Sequence, residues 1–406
     1  MEQFAIRAKE VFIVTNRVYV IILVVLALAA LAQAQTFTVL YNFTGGSDGG
    51  NSAAGVIQDP AGDLYGTTSL GGDPNCGPAG WGCGVVFKLD TAGTETPLHT
   101  FWGSDGTNPV APVVRDRAGN IYGTTSHGGS SGYGTVFKID TAGTETVLYS
   151  FTGGPDGCYP YQGVVVDKSG SLFLATPECG SYGYGTIFKI DSAGRFSLLH
   201  SFTGGSSDGA YPWYGHLTMD WAGTLYGLTS GGGAYGNGVL YELSKKGKLT
   251  VLHSFVGGSS DGCAPNGSVV EDKAGNFYGT TSYCGSSNYG TIWKVNKKGT
   301  ATILHNFAGG SSDGCNPPAG VTRDSKGNLY GVTYGCGAKN AGALYEFSAK
   351  GTFTLLYSFG SNSDDYGFEP IGEVLRTAKG TLVGTTLAPS PPCCEGTFGT
   401  VWKYVP

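Results

Sequence analysis

Short apolar runs separated by glycine-rich turns recur along almost the whole chain. The phrase Leu-Tyr-Gly-Thr-Thr at residues 64–68 has six later relatives, at 121–125, 172–176, 225–229, 277–281, 329–333 and 382–386. Three further runs accompany each copy, and in one repeat they read Val-Val-Arg-Asp at 113–116, Gly-Thr-Val-Phe-Lys at 134–138 and Val-Leu-Tyr-Ser-Phe at 147–151. Short apolar runs bounded by turns are typical of β-strands. The sequence therefore predicts seven repeats, each with four strands.

Asp-x-x-Gly turns join the strands within a repeat. They link the first strand to the second, as at 116–119, and the third to the fourth, as at 140–143. Glycine supplies the positive φ that tight hairpin turns require. Two loops remain: the central loop between the second and third strands, and the joining loop from the fourth strand to the next repeat. In a four-stranded antiparallel sheet both loops emerge on the same face.

The phase of the array predicts how its two ends meet. After residue 34, the chain begins with a strand of the fourth type at 37–43 and finishes with a strand of the third type at 399–405. Seven sheets are complete only if the N-terminal strand joins the last sheet, which closes a ring and removes an exposed edge. A linear solenoid would need capping repeats instead. We therefore predict an all-β, seven-bladed β-propeller of four-stranded antiparallel blades, one domain over 35–406 that the N-terminal strand closes.

The composition agrees with a folded all-β protein. Glycine accounts for 70 of the 406 residues, yet aromatic residues reach 12% and no three-residue period is present. These features exclude collagen and argue against disorder. Hydrophobic residues make up 40% of the chain and charged residues 13%, so the repeats can bury a large core.

The first 34 residues have the layout of a secretory signal peptide. A basic start (Arg7, Lys9, Arg17) precedes an uncharged, mostly apolar run at 18–32, which ends in Ala-Gln-Ala at 32–34. An uncleaved anchor is the alternative, but the apolar run is shorter than the roughly 20 residues that span a bilayer. We expect cleavage after Ala34 and export to the periplasm, the cell surface or the medium.

The charge of the chain limits its partners. The net charge is −6 at pH 7 and no basic stripe is present, so we expect no nucleic-acid partner. We further expect no membrane insertion once the leader is removed, no cofactor, and a monomer.

Ten cysteines in an exported chain suggest disulfide bonds. Three pairs share a separation of 21 residues, and each pair places one cysteine in a joining loop and the other in a central loop: Cys158 and Cys179, Cys263 and Cys284, and Cys315 and Cys336. Because these loops emerge on one face, we predict three structural disulfides. Cys76 and Cys83 are predicted to pair locally. For the adjacent Cys393 and Cys394, a vicinal disulfide, a redox-active pair and bonding to another partner all remain open.

The repeated phrases, together with Gly-Gly-Ser-Ser-Asp-Gly in the joining loops, resemble the GloVer tandem-repeat proteins. These are predicted exported bacterial proteins with varied surface-sorting segments at their ends. The resemblance covers residues 37–405. It implies export and a repeat architecture, but it implies no biochemical activity.

Recurring acids and histidines are better explained by packing than by chemistry. One aspartate stands in every joining loop: Asp48, Asp105, Asp156, Asp208, Asp261, Asp313, and Asp364 or Asp365. Each loop offers one acid, whereas calcium requires six to eight oxygen ligands, so we expect turn formation and no metal site. One position of the fourth strand alternates between histidine and tyrosine, which marks packing: His99, His200, His253 and His305 against Tyr41, Tyr149 and Tyr357.

Two ionisable residues stand where other repeats have small ones. At the start of the first strand, His216 and Glu373 occupy the position that five repeats fill with Gly55, Pro112, Gly163, Ser268 and Gly320. Both should lie near the mouth of the central channel. They are the best acid–base candidates if the protein is a hydrolase or a lyase.

Aromatic residues concentrate in the joining and central loops of the third and fourth repeats. The group comprises Tyr159, Tyr161, Tyr182, Tyr184, Tyr211, Trp213, Tyr214 and Tyr235. Flat rings with polar tips stack on sugars and also suit protein contacts, although they could equally pack glycine-rich loops. The leading hypothesis is a secreted, non-enzymatic binding module for extracellular polysaccharide or a surface protein. The alternatives are a hydrolase or lyase at the channel mouth and a structural protein of the cell envelope.

Overall fold

The structure, a computed structural model, describes residues 35–77, 80–213, 215–360, 368–387 and 398–406. Within them, seven four-stranded antiparallel sheets form the blades of a propeller, so the predicted fold class is confirmed. No helix in this part of the chain has the length and apolar character needed to cross a bilayer. Several predictions of the sequence fall outside the described residues: the signal peptide at 1–34, Tyr214, Asp364, Asp365, Cys393 and Cys394.

The first and second strands of each blade lie nearest the axis. The first strands are β2 (Ile57–Gln58), β6 (Val114–Arg115), β10 (Val165–Val166), β15 (Thr218–Met219), β20 (Cys263–Glu271), β25 (Thr322–Arg323) and β30 (Leu375–Arg376). The second strands are β3 (Leu64–Thr68), β7 (Ile121–Thr125), β11 (Leu172–Thr176), β16 (Leu225–Thr229), β21 (Phe277–Tyr283), β26 (Leu329–Thr333) and β31 (Leu382–Thr386).

The third and fourth strands complete each blade towards the outside. The third strands are β4 (Val85–Leu89), β8 (Thr135–Ile139), β12 (Thr186–Ile190), β18 (Val239–Leu243), β22 (Thr291–Val295), β28 (Ala343–Phe347) and β32 (Thr400–Val405). The fourth strands are β5 (Glu95–Thr100), β9 (Glu145–Ser150), β13 (Phe196–Ser201), β19 (Leu249–Ser254), β23 (Ala301–Asn306), β29 (Phe353–Ser358) and β1 (Thr36–Asn42). Two-residue ladders extend the loops of blades 4 and 6: β14 (Gly209–Ala210) with β17 (Gly231–Gly232), and β24 (Gly314–Cys315) with β27 (Gly335–Cys336).

Each blade is covered on both faces by its neighbours, and the core lies between blades. One hydrophobic cluster joins Tyr65 and Val86 of blade 1 to Val113 and Phe137 of blade 2. The glycine of Leu-Tyr-Gly-Thr-Thr provides space inside this packing, because a Cβ at Gly123 would lie 2.5 Å from the Phe137 ring. Burial on both faces explains why the second strands are continuously apolar or small rather than alternating.

The N-terminal strand closes the ring as predicted. β1 pairs with β32 as the outermost strand of blade 7, from Thr36 opposite Val405 to Asn42 opposite Thr400. The Phe37 ring stacks on Tyr357 of blade 6, with the centroids 3.9 Å apart. The first and last strands of the propeller therefore form one sheet.

Disulfide bonds join loops on one face of the ring. Among the described cysteines there are four bonds, and each unites two cysteines that the sequence pairs: Cys76–Cys83, Cys158–Cys179, Cys263–Cys284 and Cys315–Cys336. The three with a separation of 21 residues tie a joining loop to the central loop of the blade that follows it. Such bonds stabilise a fold by about 3 kcal/mol each through restriction of the unfolded chain.

A β-bulge shapes every outer strand and orients the joining loop. One leucine in each fourth strand is skipped in the pairing with the third: Leu40, Leu98, Leu148, Leu199, Leu252, Leu304 and Leu356. The next residue is the alternating histidine or tyrosine, and it contacts the loop aspartate in the six joints where that aspartate is described. Tyr149 donates a hydrogen bond to Asp156 at 3.0 Å, and His253 Nε2 lies 2.7 Å from Asp261. These aspartates also accept backbone N–H groups, as Asp156 does from Thr152, so they organise the turn as expected.

The channel narrows where the first strands begin. Segments of neighbouring blades approach one another there, and we call them the collar: residues 54–55, 111–112, 162–163, 215–216, 267–268, 319–320 and 372–373. Gly163 N donates to Gly215 O at 2.9 Å, which joins blades 3 and 4. A Cβ at Gly267 would lie 1.9 Å from Gly320 N. Glycine at position 267 is therefore required by the close approach of blades 5 and 6.

Within the described residues, aromatic rings stack across three of the outer joints between blades. At these joints a residue near the start of an outer strand stacks on the histidine or tyrosine of the preceding blade, as Phe353 does on His305 at 4.0 Å. In blade 1 this position is Glu95, close to Tyr41 and Asp48. Its Oε1 atom is buried without a hydrogen-bond partner among the described residues. Burial, reinforced by the charge of Asp48, raises the pKa of Glu95 from 4.5 to about 7.

Substitution of Gly267 by alanine should destabilise the propeller by at least about 3 kcal/mol, because the new Cβ collides with the backbone of blade 6. Gly132→Ala is the matched control, since Gly132 has a similar φ of +84° but no atom within 4 Å of its Cβ position. It should cost only about 1 kcal/mol for the left-handed backbone. Denaturant unfolding measures both, and equal losses would contradict the collar contacts.

Glu95 should make stability fall with rising pH. Its pKa is higher in the folded state than the unfolded value of 4.5, so folding favours the protonated form. The free energy of unfolding then decreases between about pH 4.5 and pH 7 and is constant above that range. Glu95→Leu introduces the leucine that blade 4 has at this position, Leu249. The gain in the midpoint of thermal unfolding over wild type should be about 2 °C larger at pH 8 than at pH 4. Thr96→Leu at the exposed neighbouring position should show no such pH-dependent gain. An identical pH profile of stability in Glu95→Leu and wild type would refute the prediction.

Candidate functional site

A cavity of about 280 Å³ opens at the axis of the face that carries the joining and central loops. We call it the mouth cavity. Every blade contributes to its wall: Gly55, Pro112, Tyr161, Gly215, Asn266, Ala319 and Glu373 are among its lining residues. The wall is mainly apolar, with polar groups from Glu373, Asn266 and two tyrosines, Tyr161 and Tyr334. An apolar cavity with a few convergent polar groups has the composition of a small-molecule site.

The collar separates the mouth cavity from a second cavity along the channel. This lower cavity, about 470 Å³, is lined by first strands of blades 2, 3 and 4 and includes His216. The two cavities share no lining residue. Glu373 belongs to the mouth cavity and His216 to the lower one, so these two side chains meet across the collar.

The structure brings His216 and Glu373 together through Ser268. The His216 Nδ1 atom lies 4.0 Å from Glu373 Oε2. Ser268 Oγ lies 2.9 Å from the same nitrogen and also accepts the His216 backbone N–H at 2.9 Å. The backbone N–H of Ser268 donates to Glu373 Oε1 at 2.8 Å. The two sequence-predicted candidates therefore belong to one hydrogen-bonded cluster.

The geometry of this cluster differs from that of a hydrolytic triad. In a Ser-His-acid triad the serine and the acid contact opposite nitrogens of the imidazole. Here Ser268 and Glu373 both face Nδ1, and the serine is only 4% exposed. Ser268 is thus a bridging group and not an accessible nucleophile. The sequence analysis missed it as a partner, although a hydroxyl at a collar position otherwise rich in glycine was a usable signal.

Two of the predicted aromatic residues form a pair at the mouth cavity. The rings of Tyr161 and Trp213 lie 5.5 Å apart, and Tyr161 lines the cavity. Tyr161 lies in the joining loop before blade 3, and Trp213 lies in the joining loop before blade 4. Both side chains are half-buried. Tyr161 therefore presents an aromatic ring to the cavity, and Trp213 packs against that ring.

The remaining aromatic residues are distributed over the same face in separate contacts. Tyr184 packs against Tyr211 with centroids 5.4 Å apart, and Tyr159 packs against His127 at 4.9 Å. A backbone hydrogen bond also joins Tyr184 and Tyr211, since Tyr211 N donates to Tyr184 O at 3.0 Å. Tyr182 and Tyr235 are 61% and 60% exposed. The ring contacts thus divide the predicted platform into pairs and isolated rings.

Tyr159 and Tyr211 have an unusual backbone. Each has positive φ, 51° and 60°, at a position that repeats once per blade and is elsewhere filled by Asn51, Asn108, Ala264, Asn316 and Glu369. Asparagine tolerates the left-handed region well, whereas a bulky ring there is uncommon. Tyrosine at both positions costs backbone strain, which favours a role for the side chains beyond filling space.

Two solved structures share this fold. One is the extracellular domain of BT3049, assigned as a hybrid two component system, from B. thetaiotaomicron, with 13% identity and a TM-score of 0.56 over 92% of this chain and 41% of that one. The other is the extracellular domain of BT4673, assigned as a one component system, from the same organism, with 11% identity and a TM-score of 0.58 over 91% and 40%. This chain spans about two fifths of each. At these identities the similarity shows the fold alone.

The sequence itself identifies the family. No curated protein has a sequence that matches this chain. The model of the Gloeobacter/Verrucomicrobia repeat, however, matches residues 27–169 and 160–398. These two segments cover most of the propeller, and they confirm the resemblance to the GloVer proteins. The chain is therefore a member of the Gloeobacter/Verrucomicrobia repeat family.

Proposed function

We propose that this protein is an exported, non-enzymatic binding module that holds the end of an extracellular polysaccharide in the mouth cavity. The observation that carries the proposal is the Tyr161 ring, which lines an axial cavity to which all seven blades contribute and which packs against Trp213. An aromatic edge suits the apolar face of a sugar ring, and Asn266 and Glu373 offer hydrogen-bonding groups for its hydroxyls.

Export is supported by the four disulfide bonds, because such bonds persist in oxidising compartments outside the cytosol. The two propellers of similar fold are named as extracellular domains, which is consistent with this location. The anionic chain, with a net charge of −6, favours a neutral or cationic ligand over an acidic one.

The size of the cavity limits what it can hold. Pockets for drug-sized ligands span about 300–1,000 Å³, and the 280 Å³ of the mouth cavity lies just below that range. One or two sugar rings would fill it, so the ligand enters by its end. The rest of the glycan would then cross the face towards Tyr159 and Tyr211, whose strained backbones hold their rings there.

A binding role also fits the His216–Ser268–Glu373 cluster better than hydrolysis does. Its polar groups bond to one another, and its hydroxyl is buried away from the cavity. Glu373 can still accept a hydrogen bond from a ligand at the wall of the mouth cavity.

A glycan array, followed by titration with the best ligand, tests the proposal. The double variant Tyr161→Ala, Trp213→Ala should bind at least about tenfold more weakly, because two stacking surfaces are lost at the site. The matched control is Tyr182→Ala, Tyr235→Ala, which removes two exposed rings from the same face and should retain affinity within about twofold.

Other outcomes would redirect the assignment. Binding that survives loss of Tyr161 and Trp213 would contradict the mouth cavity as the site. Turnover of a bound glycan that His216→Ala abolishes would favour the hydrolase or lyase alternative. A folded wild-type protein that binds no glycan would contradict the polysaccharide ligand and leave a surface protein or a structural role.

A further inference from the structure

A cluster of potential metal ligands lies at the outer joint between blades 1 and 2. His99 and Asp105 come from the outer strand of blade 1 and the loop that follows it, and Glu145 begins the outer strand of blade 2. One ligand atom of each residue lies within 4.8 Å of the other two. His99 Nε2 and Asp105 Oδ2 are 2.8 Å apart. The cluster is remote in sequence from every residue of the mouth cavity wall that the proposed function uses.

This joint differs from the equivalent joints around the ring. Histidine–aspartate pairs also occur at His200, His253 and His305, but there the residue that corresponds to Glu145 is Leu249, Ala301 or Phe353. Glu95 occupies the same position in blade 1, yet it faces Tyr41, which offers no imidazole. Within the described residues, only the joint of blades 1 and 2 combines an imidazole with two carboxylates.

One carboxylate oxygen of Glu145 is buried and unpaired within the described part of the chain. This atom, Oε1, is shielded from solvent and has no hydrogen bond among the described residues. Burial raises the pKa of Glu145; His99 acts to lower it and Asp105 adds to the increase. A buried carboxylate oxygen without a partner is costly, and a bound cation is one way to satisfy it. The opposing Asp105 is already oriented, because its Oδ1 accepts the Trp102 N–H at 2.8 Å.

We propose that His99, Asp105 and Glu145 bind a divalent transition-metal ion of the Zn²⁺ class and thereby cross-link blades 1 and 2. One imidazole nitrogen and two carboxylate oxygens suit Zn²⁺, and water can complete a four-coordinate site. Calcium requires six to eight oxygens, so this set disfavours it. No metal site was expected from the sequence, in which the alternation of histidine with tyrosine marks His99 as a packing residue. Glu145 lies in the next repeat, and nothing local connects it to His99.

Zn²⁺ requires a deprotonated imidazole nitrogen and ionised carboxylates as ligands, so the ion competes with protons for these three side chains.

Titration of the metal-free, untagged protein with Zn²⁺ tests the proposal by calorimetry and by metal analysis after dialysis. The wild type should bind one equivalent of Zn²⁺ that the Glu145→Leu variant does not bind. The same equivalent should raise the midpoint of thermal unfolding by about 3 °C when Zn²⁺ is a hundredfold above its dissociation constant. Ca²⁺ at the same concentration should produce neither effect. Uptake that is the same in Glu145→Leu and wild type, or no uptake by the wild type, would overturn the assignment.

Two further variants use the repeats as internal controls. Glu95→Leu removes the glutamate that corresponds to Glu145 in blade 1, where the joint contains Tyr41 and no histidine. This variant should leave Zn²⁺ uptake unchanged. Leu249→Glu places a carboxylate beside His200 and Asp208, whose Nε2 and Oδ1 atoms are 3.1 Å apart, and should add one equivalent. If the folded Leu249→Glu variant gains none, the geometry of the joint does not make a site and the inference fails.

Discussion

The structure depends on the closure of a ring of sheets that can be buried only by one another. Every blade is apolar on both faces, so each requires two neighbours, and the last blade must meet the first. The antiparallel pairing of β1 with β32 meets this requirement with strands from opposite ends of the chain. Without β1, blade 7 would have three strands, an open edge, and an uncovered part of the cluster that contains Trp402 and Phe359.

Closure also sets the geometry of the axis. The contacts of Gly55 with the backbone of Glu373 cross the joint between blades 1 and 7, so the collar is complete only when the ring is. The collar in turn divides the channel and shapes the mouth cavity above it. The two collar positions with ionisable side chains are thereby held together, with Ser268 between them. A site at the axis is thus a consequence of how the blades approach one another.

Much of the fold could be predicted from the sequence because its determinants are local and repeated. The Leu-Tyr-Gly-Thr-Thr phrase defines a strand, the phase of the strands requires the closure, and a constant spacing of 21 residues pairs the cysteines. The position of Glu373 at the mouth cavity follows from the same register, whereas His216, expected beside it, lines the lower cavity. Distances between blades are not encoded in any local pattern. For that reason the bridging role of Ser268, the pairing of Tyr161 with Trp213 and the proximity of Glu145 to His99 emerged only from the structure.

The measurement that tests ring closure most directly is the chemical unfolding of Phe37→Ala, with Thr38→Ala as its control. Phe37 stacks on Tyr357 at 3.9 Å, whereas the neighbouring Thr38 is exposed on the same strand. If β1 completes blade 7, loss of the half-buried Phe37 ring should lower the free energy of unfolding by about 2 kcal/mol, and loss of the Thr38 side chain should change it little. Equal and small effects of the two substitutions would contradict closure of the propeller by its N-terminal strand.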